Sequence, residues 1–243
     1  MKKSTLFHLN HFRASPPGPT NRISTLQLPN ALFTAAKSAL VSLQLTGFKC
    51  QGQVKPDLSR AYITIQPTEG EKVTIGLDSK QDFTNTKDFC KFIESKTNNL
   101  LEIKGNNIVP AATVKNYYFS PSLCSIFGLQ QGLSYTGTLS NLEIDIFAQF
   151  RQIAIVCNEL ENNCFCNQSQ FGVVAFVSLK LGKGGKILDC SIEATPGNSA
   201  LQTIPNLSAL SFQLISLSSP EVTLPLEQIK SLNITFKLNE NFA

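Results

Sequence analysis

Apolar and polar residues alternate along most of the chain after residue 22. Val41, Leu43 and Leu45 are separated by Ser and Gln, and Ile63 and Ile65 are separated by Thr. A period of two places successive side chains on opposite faces of a strand. About ten to twelve short strands at even spacing are predicted, which is typical of an antiparallel β-sandwich or barrel.

Several later segments extend the strand prediction. The segment 171–181 is almost continuously apolar, which favours a strand buried on both of its faces. A glycine-rich turn at 181–186 leads from it into the next strand, in which Leu188, Cys190 and Ile192 share one face and predict a buried thiol. Further strands are predicted at 73–77, 142–146, 153–157, 210–214, 222–226 and 232–238.

Two short helices interrupt the strand pattern. Residues 86–96 repeat apolar positions at helical spacing, and Thr86 is the predicted N-cap. The second helix is predicted at 120–127, where Ser120 precedes Pro121 at the first position and Gly128 follows the last. Both helices are too short to be stable unless they pack on the strands.

The first 22 residues form a separate region. Pro16, Pro17 and Pro19 exclude a helix or a central strand. Residues 1–22 are therefore predicted to be an N-terminal arm, or an early edge strand at 5–9 followed by a turn. Residues 23–243 are predicted to be one jelly-roll-like β domain, with a sub-boundary at 128–137 where a helix end, glycines and a chain reversal coincide.

Composition and charge exclude several classes of protein. The chain has 243 residues, 42% hydrophobic and 16% charged, which indicates a globular protein. A net charge of +4 without clustered Lys and Arg does not favour a specific nucleic-acid partner. We expect neither a signal peptide nor a membrane span, because apolar runs of sufficient length are absent. The expected location is inside the cell, or in an assembly made there.

Cysteine and histidine residues are the first candidates for a metal site. An odd count of seven cysteines agrees with a reducing compartment. Cys157, Cys164, Cys166 and Cys190 form the one group worth a zinc hypothesis, but their spacing lacks close C-x-x-C pairs. The two histidines, His8 and His11, have no cysteine or carboxylate companions nearby. No metal site and no cofactor are predicted.

The remaining candidates for chemistry are also better explained by structure. Glu143 and Asp145 share the outward face of the predicted strand at 142–146, which favours a solvated face over an acid–base pair or a calcium site. The glycines at 182–185 precede a strand pattern rather than a helix, so a hairpin turn is favoured over a phosphate loop. No catalytic residues are predicted, and we expect a protein that is not an enzyme.

The order of these features resembles the single jelly-roll penton, or minor capsid, proteins of the Maverick/Polinton and adintovirus group, which are related more distantly to the adenovirus penton base. The resemblance comprises an early strand, Leu28-Pro29 and a long strand at 38–48; the helix at 89–96 and Ser-Pro-Ser-Leu-Cys-Ser-Ile-Phe-Gly-Leu at 120–129; and the segments 153–159, 173–179, 205–217 and 222–236. The tight turn contains Ser-Pro-Glu where the family has glycine, and there is no Arg-Gly-Asp motif.

The resemblance implies a structural protein with a mostly β fold, an antiparallel β-sandwich of the single jelly-roll type with two short helices in its connections. It further implies a homopentamer at the vertices of an icosahedral capsid. Its partners would be copies of itself, the major capsid protein and a fibre protein. The protein would reside in the virion and be assembled in the nucleus or cytoplasm of the host cell.

Two other classes of function stay open. A β-sandwich adhesion or ligand-binding module needs a concave or aromatic-lined site, for which Tyr62, Tyr117, Tyr118 and Tyr135 are the candidates. An uncharacterised hydrolase is the third alternative, because convergent active sites can leave no signature in a sequence.

Overall fold

A computed structural model describes residues 2–11, 24–27, 40–77, 82–160, 164–166, 169–195, 209–218, 222, 224 and 229–241. These residues are predominantly β, with antiparallel strands and two α-helices, α1 (Thr86–Lys96) and α2 (Pro121–Phe127). The chain divides into two compact units. Unit 1 takes in 1–54, 150–182 and 186–243, and unit 2 takes in 55–149 and 183–185.

The strands carry numbers in chain order. They are β1 (Lys2–His11), β2 (Ser24–Gln27), β3 (Leu40–Gly52), β4 (Tyr62–Pro67), β5 (Val73–Gly76), β6 (Leu101–Lys104), β7 (Asn107–Pro110), β8 (Val114–Phe119), β9 (Ser134–Tyr135), β10 (Gln152–Cys157), β11 (Cys164–Cys166), β12 (Ser169–Phe171), β13 (Val173–Leu181), β14 (Ile187–Ala194), β15 (Ala209–Ser216) and β16 (Ile229–Asn241). The first three and the last seven belong to unit 1.

The strand order of unit 1 is that of a jelly roll. One sheet has the order β1-β16-β3, and β14 lies beside β3. The other has the order β2-β15-β10-β13, with β14 paired to the far side of β13. Without the β11–β12 hairpin, unit 1 has eight strands: β1, β2, β3, β10, β13, β14, β15 and β16. Numbered from one to eight in that order, one layer has the strand order 1-8-3-6 and the other has the order 2-7-4-5. This is the jelly-roll arrangement of antiparallel strands, which confirms the predicted fold class.

The β10–β13–β15 part of unit 1 is buried on both faces. Ile153 lies opposite Val177, and Ala154 lies opposite Phe176 on the other face. On the face that carries Ile153 and Val177, the side chains of all three strands are buried. On the opposite face, Ala154 packs with Val156, Val173 and Ile215. The prediction of a strand buried on both faces is therefore confirmed for β13.

Unit 2 is inserted between β3 and β10, the third and fourth strands of the jelly roll. It contains a four-stranded sheet of order β5-β4-β8-β9, the β6–β7 hairpin and both helices. Its core is aromatic: Phe89 on α1 contacts Phe83 edge to face, with ring centroids 5.5 Å apart, and Phe119 on β8 contacts Phe127 on α2 at 5.2 Å. These rings hold the helices against the strands, as their short length requires.

Both helices lie where the sequence predicted them, but the cap of α1 is different. The N-cap is Asn85, whose Oδ1 accepts a hydrogen bond from the Asp88 N–H at 2.9 Å; the prediction of Thr86 is wrong. An Asn side chain satisfies an orphan N–H of the first turn as well as Thr does. At the end of α2, Gly128 is left-handed with φ of 65°, as predicted for a C-terminal glycine.

One predicted strand is absent, and another has an exposed residue where a buried one was predicted. Residues 142–146 form no strand; Asp145 Oδ1 accepts from the Phe147 N–H at 3.0 Å, and the resulting turn leads into a 3₁₀ helix at Ala148–Phe150. In the 73–77 strand, Val73 is exposed because β5 is an edge strand. Of the predicted strand at 222–226, only Val222 and Leu224 are described; both are buried, Val222 O accepts from the Ser216 N–H, and the Leu224 N–H donates to Leu214 O on β15.

Two further segments contain strands. Polar residues at 162–170 predict a loop, but the described part of this segment forms the β11–β12 hairpin together with Phe171. Residues 2–11 form β1, an edge strand that pairs along its whole length with β16, which agrees with the predicted alternative of an early edge strand at 5–9. Residues 12–23 lie outside the described residues. The chain passes between units at 54/55 and 149/150, whereas the sequence suggested a sub-boundary at 128–137.

Candidate assembly surface

The four tyrosines form two pairs in unit 2. Tyr62 and Tyr118 stack with ring centroids 6.1 Å apart, and both are half-buried. Tyr117 packs against Tyr135 at 6.1 Å, and its hydroxyl donates to Gly137 O at 2.8 Å. Burial, with Tyr135 nearby, raises the pKa of Tyr117 to about 12. Tyr117 is therefore a core residue. Of the two tyrosine pairs, only Tyr62–Tyr118 has both rings partly exposed.

The candidate metal ligands occupy different strands. Cys157 is on β10, where its thiol donates to Glu159 Oε2 at 3.2 Å, and Cys190 is on β14. Cys164 and Cys166 are in β11, and both histidines are on β1. Across the described residues, no group of three or more His, Cys, Asp or Glu is arranged to hold a metal ion. None of the helices described is long and apolar enough to cross a membrane.

The surface that stands out is β14. The chain reaches it through a 3₁₀ turn at Lys183–Gly185, in which Gly184 and Gly185 both have positive φ. Ile187 is buried, but every residue from 188 to 195 except the half-buried Cys190 is exposed. Leu188 is 56% exposed and Ile192 37% exposed. The prediction that Leu188, Cys190 and Ile192 form a buried face is therefore wrong.

β14 lies beside β3 without regular pairing to it. The two strands are not paired in any sheet of the described residues, and the bridge between Gln53 and Lys186 lies just beyond the end of β3 and just before the start of β14. Beyond that bridge, Cys190 reaches β3 through its side chain, and its Sγ donates to Phe48 O at 3.6 Å. β14 is therefore paired with β13 on one side and lies against β3 on the other through a side-chain contact.

A groove follows this seam between β3, β14 and β16. Its volume is about 520 Å³, and we call it the seam groove; it is lined by Gly47, Phe48, Lys49, Cys190, Ile192, Asn233 and Thr235. The Oδ1 atom of Asn233 is buried and has no hydrogen-bond partner in the described structure. A buried acceptor of this kind gains from an incoming N–H or O–H donor. The groove thus combines an apolar rim with an unsatisfied polar group.

Charges around β14 are mixed. Asp189 and Glu193 are exposed on the strand, and Glu193 accepts from Ser191 Oγ at 2.8 Å. Lys49 lies across the groove on β3, and Lys180 is opposite Asp189 on β13. An apolar centre with charges of both signs around it is the usual composition of a protein–protein interface.

A second recess lies in unit 2. It has a volume of about 290 Å³ and a mostly apolar lining that includes Ile65, Val73, Leu100 and Val114, with Lys96 among its polar residues. The Lys96 ammonium lies 5.6 Å from the centroid of the Phe92 ring. This recess has the size and composition of a small-ligand pocket.

The sequence did not single out the seam groove. Its residues come from three distant segments that share no motif, and Leu188, Cys190 and Ile192 had the pattern of a buried face. The pattern that marks an assembly strand is the same as the pattern that marks a core strand, since both alternate apolar with polar residues.

No protein-family model matches the chain, and no curated protein matches it in sequence. Among solved structures the chain is similar to a mavirus penton protein. The two share 9% sequence identity, the match covers 98% of this chain and 99% of that chain, and the TM-score is 0.47. A penton protein is the class that the sequence patterns resemble.

Proposed function

We propose that this chain is a structural capsid protein, a vertex subunit that assembles as a homopentamer in a virion. Its sequence patterns resemble those of single jelly-roll penton proteins. The strand order of unit 1 supports the proposal, because jelly rolls are the fold of many viral capsid proteins. The same fold also occurs in lectins and cupins, so the fold alone does not decide the function.

The observation that carries the proposal is the exposed apolar strand β14. Leu188 and Ile192 are exposed on a strand that is paired with β13 on one side and lies beside β3 without regular pairing on the other. Exposed aliphatic side chains beside a groove are typical of surfaces that become buried on association. In a ring the contacts are heterologous, so β14 of one subunit meets a different surface of its neighbour, and five such contacts close the ring.

The other partners follow from the same proposal. A vertex subunit contacts the surrounding major capsid protein and carries a fibre protein where the virus has one. Assembly takes place in the nucleus or cytoplasm of the host cell. The role is structural and requires neither a catalytic site nor a cofactor.

Light scattering and negative-stain imaging test this proposal. The expected assembly has five times the 26.6-kDa mass of the chain and appears as five-fold rings. The double variant Leu188→Lys/Ile192→Lys should remain folded and lose the rings, because two charged groups would be buried at each contact. Leu133→Lys is the matched control: Leu133 is 43% exposed and belongs to unit 2 rather than to the unit that contains β14.

Two results would contradict the proposal. One is a monomer at every concentration and salt condition that supports capsid assembly. The other is a ring that persists unchanged in the double variant, which would remove β14 from the contact.

The recess in unit 2 favours a second candidate function, the binding of a small apolar ligand. Its lining is mostly aliphatic, and Lys96 could pair with an anionic group of the ligand. Titration with an anionic fluorescent probe such as anilinonaphthalene sulfonate should show saturable binding that Val73→Glu abolishes. Binding that is equally strong in the variant would exclude this recess.

A further inference from the structure

The proposed ring contact has one named surface, β14, and requires a second surface on the neighbouring subunit. A heterologous contact joins two different patches, so the second patch has to complement the first. Among the described residues, the exposed large hydrophobic side chains are Leu188 and Ile192 on β14 and Val73 and Leu133 in unit 2. Val73 and Leu133 are therefore the candidate apolar centres of the neighbour's surface.

On β14 the two exposed aliphatic side chains leave a gap between them. Leu188 and Ile192 lie on the same face of the strand, four positions apart, which is about 13 Å along a strand. The smaller, half-buried Cys190 lies between them on that face. Lys49 is exposed and lines the seam groove together with Cys190 and Ile192. This face of β14 therefore combines an apolar gap with a neighbouring ammonium group.

The carboxylates of β14 belong to the other face of the strand. Asp189 and Ser191 point away from the groove face, because successive side chains of a strand alternate between its two faces. Glu193 accepts a hydrogen bond from Ser191 Oγ at 2.8 Å, which holds it on the same side as Ser191. The charged residue that lines the seam groove is Lys49. A complementary surface therefore carries a carboxylate close to an exposed aliphatic side chain.

Val73 has carboxylates close to it in the chain, whereas Leu133 has none. Val73 is 52% exposed, and the residues just before it, Glu69, Glu71 and Lys72, are exposed and have a net negative charge. Leu133 has no Asp or Glu within nine positions on either side. The charge of the seam groove therefore selects Val73 as the apolar centre of the second surface.

β5, which carries Val73, is an accessible sheet edge. It is the last strand of the β5-β4-β8-β9 sheet. The Leu77 N–H donates to Ala61 O at 2.8 Å, and antiparallel hydrogen bonding alternates from residue to residue along the strand. The backbone groups of Thr74 and Gly76 therefore point away from β4. An edge of this kind is open to contact with a second chain.

We infer that the β5 edge of one subunit docks on β14 and the seam groove of its neighbour. Val73 then enters the gap between Leu188 and Ile192, and burial of these side chains provides most of the affinity. The Glu71 carboxylate approaches the Lys49 ammonium, and this charge pair orients the contact. The inference rests on the proposed ring and names the second surface that the ring requires.

Two variants, each damaged on one side of the contact, test the inference. The groove variant is Leu188→Lys/Ile192→Lys, and the β5 variant is Val73→Lys. Each alone should keep the circular dichroism and thermal midpoint of the wild type and form no rings. Mixed in equal amounts, they should give a dimer of twice the 26.6-kDa mass, measured by gel filtration with light scattering. The intact β5 of the groove variant binds the intact groove of the β5 variant, and no further contact is left to extend the chain.

Charge reversal is the second test. Glu71→Lys and Lys49→Glu should each raise the protein concentration needed for half-assembly by about tenfold, because each places two like charges at the contact. The double variant Lys49→Glu/Glu71→Lys should bring that concentration back to within about threefold of the wild type. Glu143→Lys is the matched control, since it makes the same change at another exposed carboxylate of unit 2 and should leave assembly unchanged.

The results separate this inference from the ring itself. Rings that persist in the β5 variant would leave the ring in place and exclude β5 from it. The inference would also be overturned by a mixture of the two variants that stays monomeric at ten times the concentration at which the wild type assembles. A wild-type chain that stays monomeric would instead contradict the proposed function, and the inference with it.

Discussion

β13 and β14 are neighbours in one sheet, yet their environments are opposite. β13 is buried on both faces, and five of its nine residues are buried aliphatic side chains: Val173, Val174, Ala175, Val177 and Leu179. β14 buries Ile187 and then exposes Leu188 and Ile192. Both strands are rich in apolar residues. The two strands differ in their neighbours within the sheet. β13 lies between β10 and β14 and is paired with both, whereas β14 is paired with β13 and lies beside β3 without regular pairing.

The comparison shows that the same side chain has two different roles in adjacent strands. In β13 an aliphatic residue contributes to the free energy of unfolding through burial and packing. In β14 it contributes little to that free energy and is available to a partner. Substitutions that separate stability from association therefore distinguish the two strands.

The largest effect is expected at the start of β13. A Cβ at Gly172 would lie 2.6 Å from Leu160 Cβ and 2.7 Å from Cys157 O, contacts that the backbone must shift to relieve. Gly172→Ala should lower the free energy of unfolding by about 3 kcal/mol, measured by urea denaturation. Gly76→Ala is the control, because a Cβ there meets nothing within 4 Å. Equal stability of the two variants would contradict the close packing at Gly172.

Leucine truncation compares the two strands directly. Leu179 on β13 is buried, so Leu179→Ala should lower the free energy of unfolding by about 3 kcal/mol. Leu188 on β14 is exposed, and Leu188→Ala should lower it by less than about 1 kcal/mol. Both are measured by chemical denaturation of the reduced protein. Similar losses in the two variants would mean that β14 is packed as tightly as β13.

The pH dependence of stability extends the comparison to two thiols. Burial raises the pKa of Cys157 far above its usual value, so the folded state keeps this proton while the unfolded state loses it above pH 9. The folded state then binds more protons, and stability falls as the pH rises. Cys157→Ala should reduce the fall between pH 8 and pH 10 by about 1 kcal/mol.

Cys190→Ala is the comparison for the thiol measurement. Cys190 is half-buried, so its pKa rises less and the variant should reduce the fall by a smaller amount. Urea denaturation at the two pH values, with reductant present, measures both. An equal change in the two variants would show that the thiols have equivalent environments.

The smallest change in stability is expected for Leu188→Lys. Replacing an exposed side chain should alter the free energy of unfolding by about 0.5 kcal/mol or less. If β14 forms the subunit contact, the same variant should weaken assembly by a factor of ten or more, measured by light scattering over a dilution series. Loss of folding would instead assign Leu188 to the core.

The sequence predicted the class of fold and both helices well. Alternation over residues 41–45 and 153–157 found strands, and the spacing at 86–96 found α1 with its observed bounds. Local patterns suffice here because strand and helix periods are properties of adjacent residues. The same pattern failed at 142–146, where Asp145 forms a turn with Phe147.

The candidate surface could not be predicted from the sequence in the same way. The exposure of Leu188 and the unpaired Asn233 Oδ1 depend on how β3, β14 and β16 meet. β3 is more than a hundred residues from β14 and β16 in the sequence, and alternation does not say which neighbour covers a face.

The pairing of β1 with β16 has a consequence for synthesis on the ribosome. Lys2 lies opposite Asn241, so the first strand has no partner until the last one emerges. At about 5–20 residues per second, unit 2 is available to fold many seconds before the jelly roll can close. During that interval β1–β3 present unpaired edges. A nascent chain with such edges depends on chaperones, or on a low concentration of other chains, to avoid association through them.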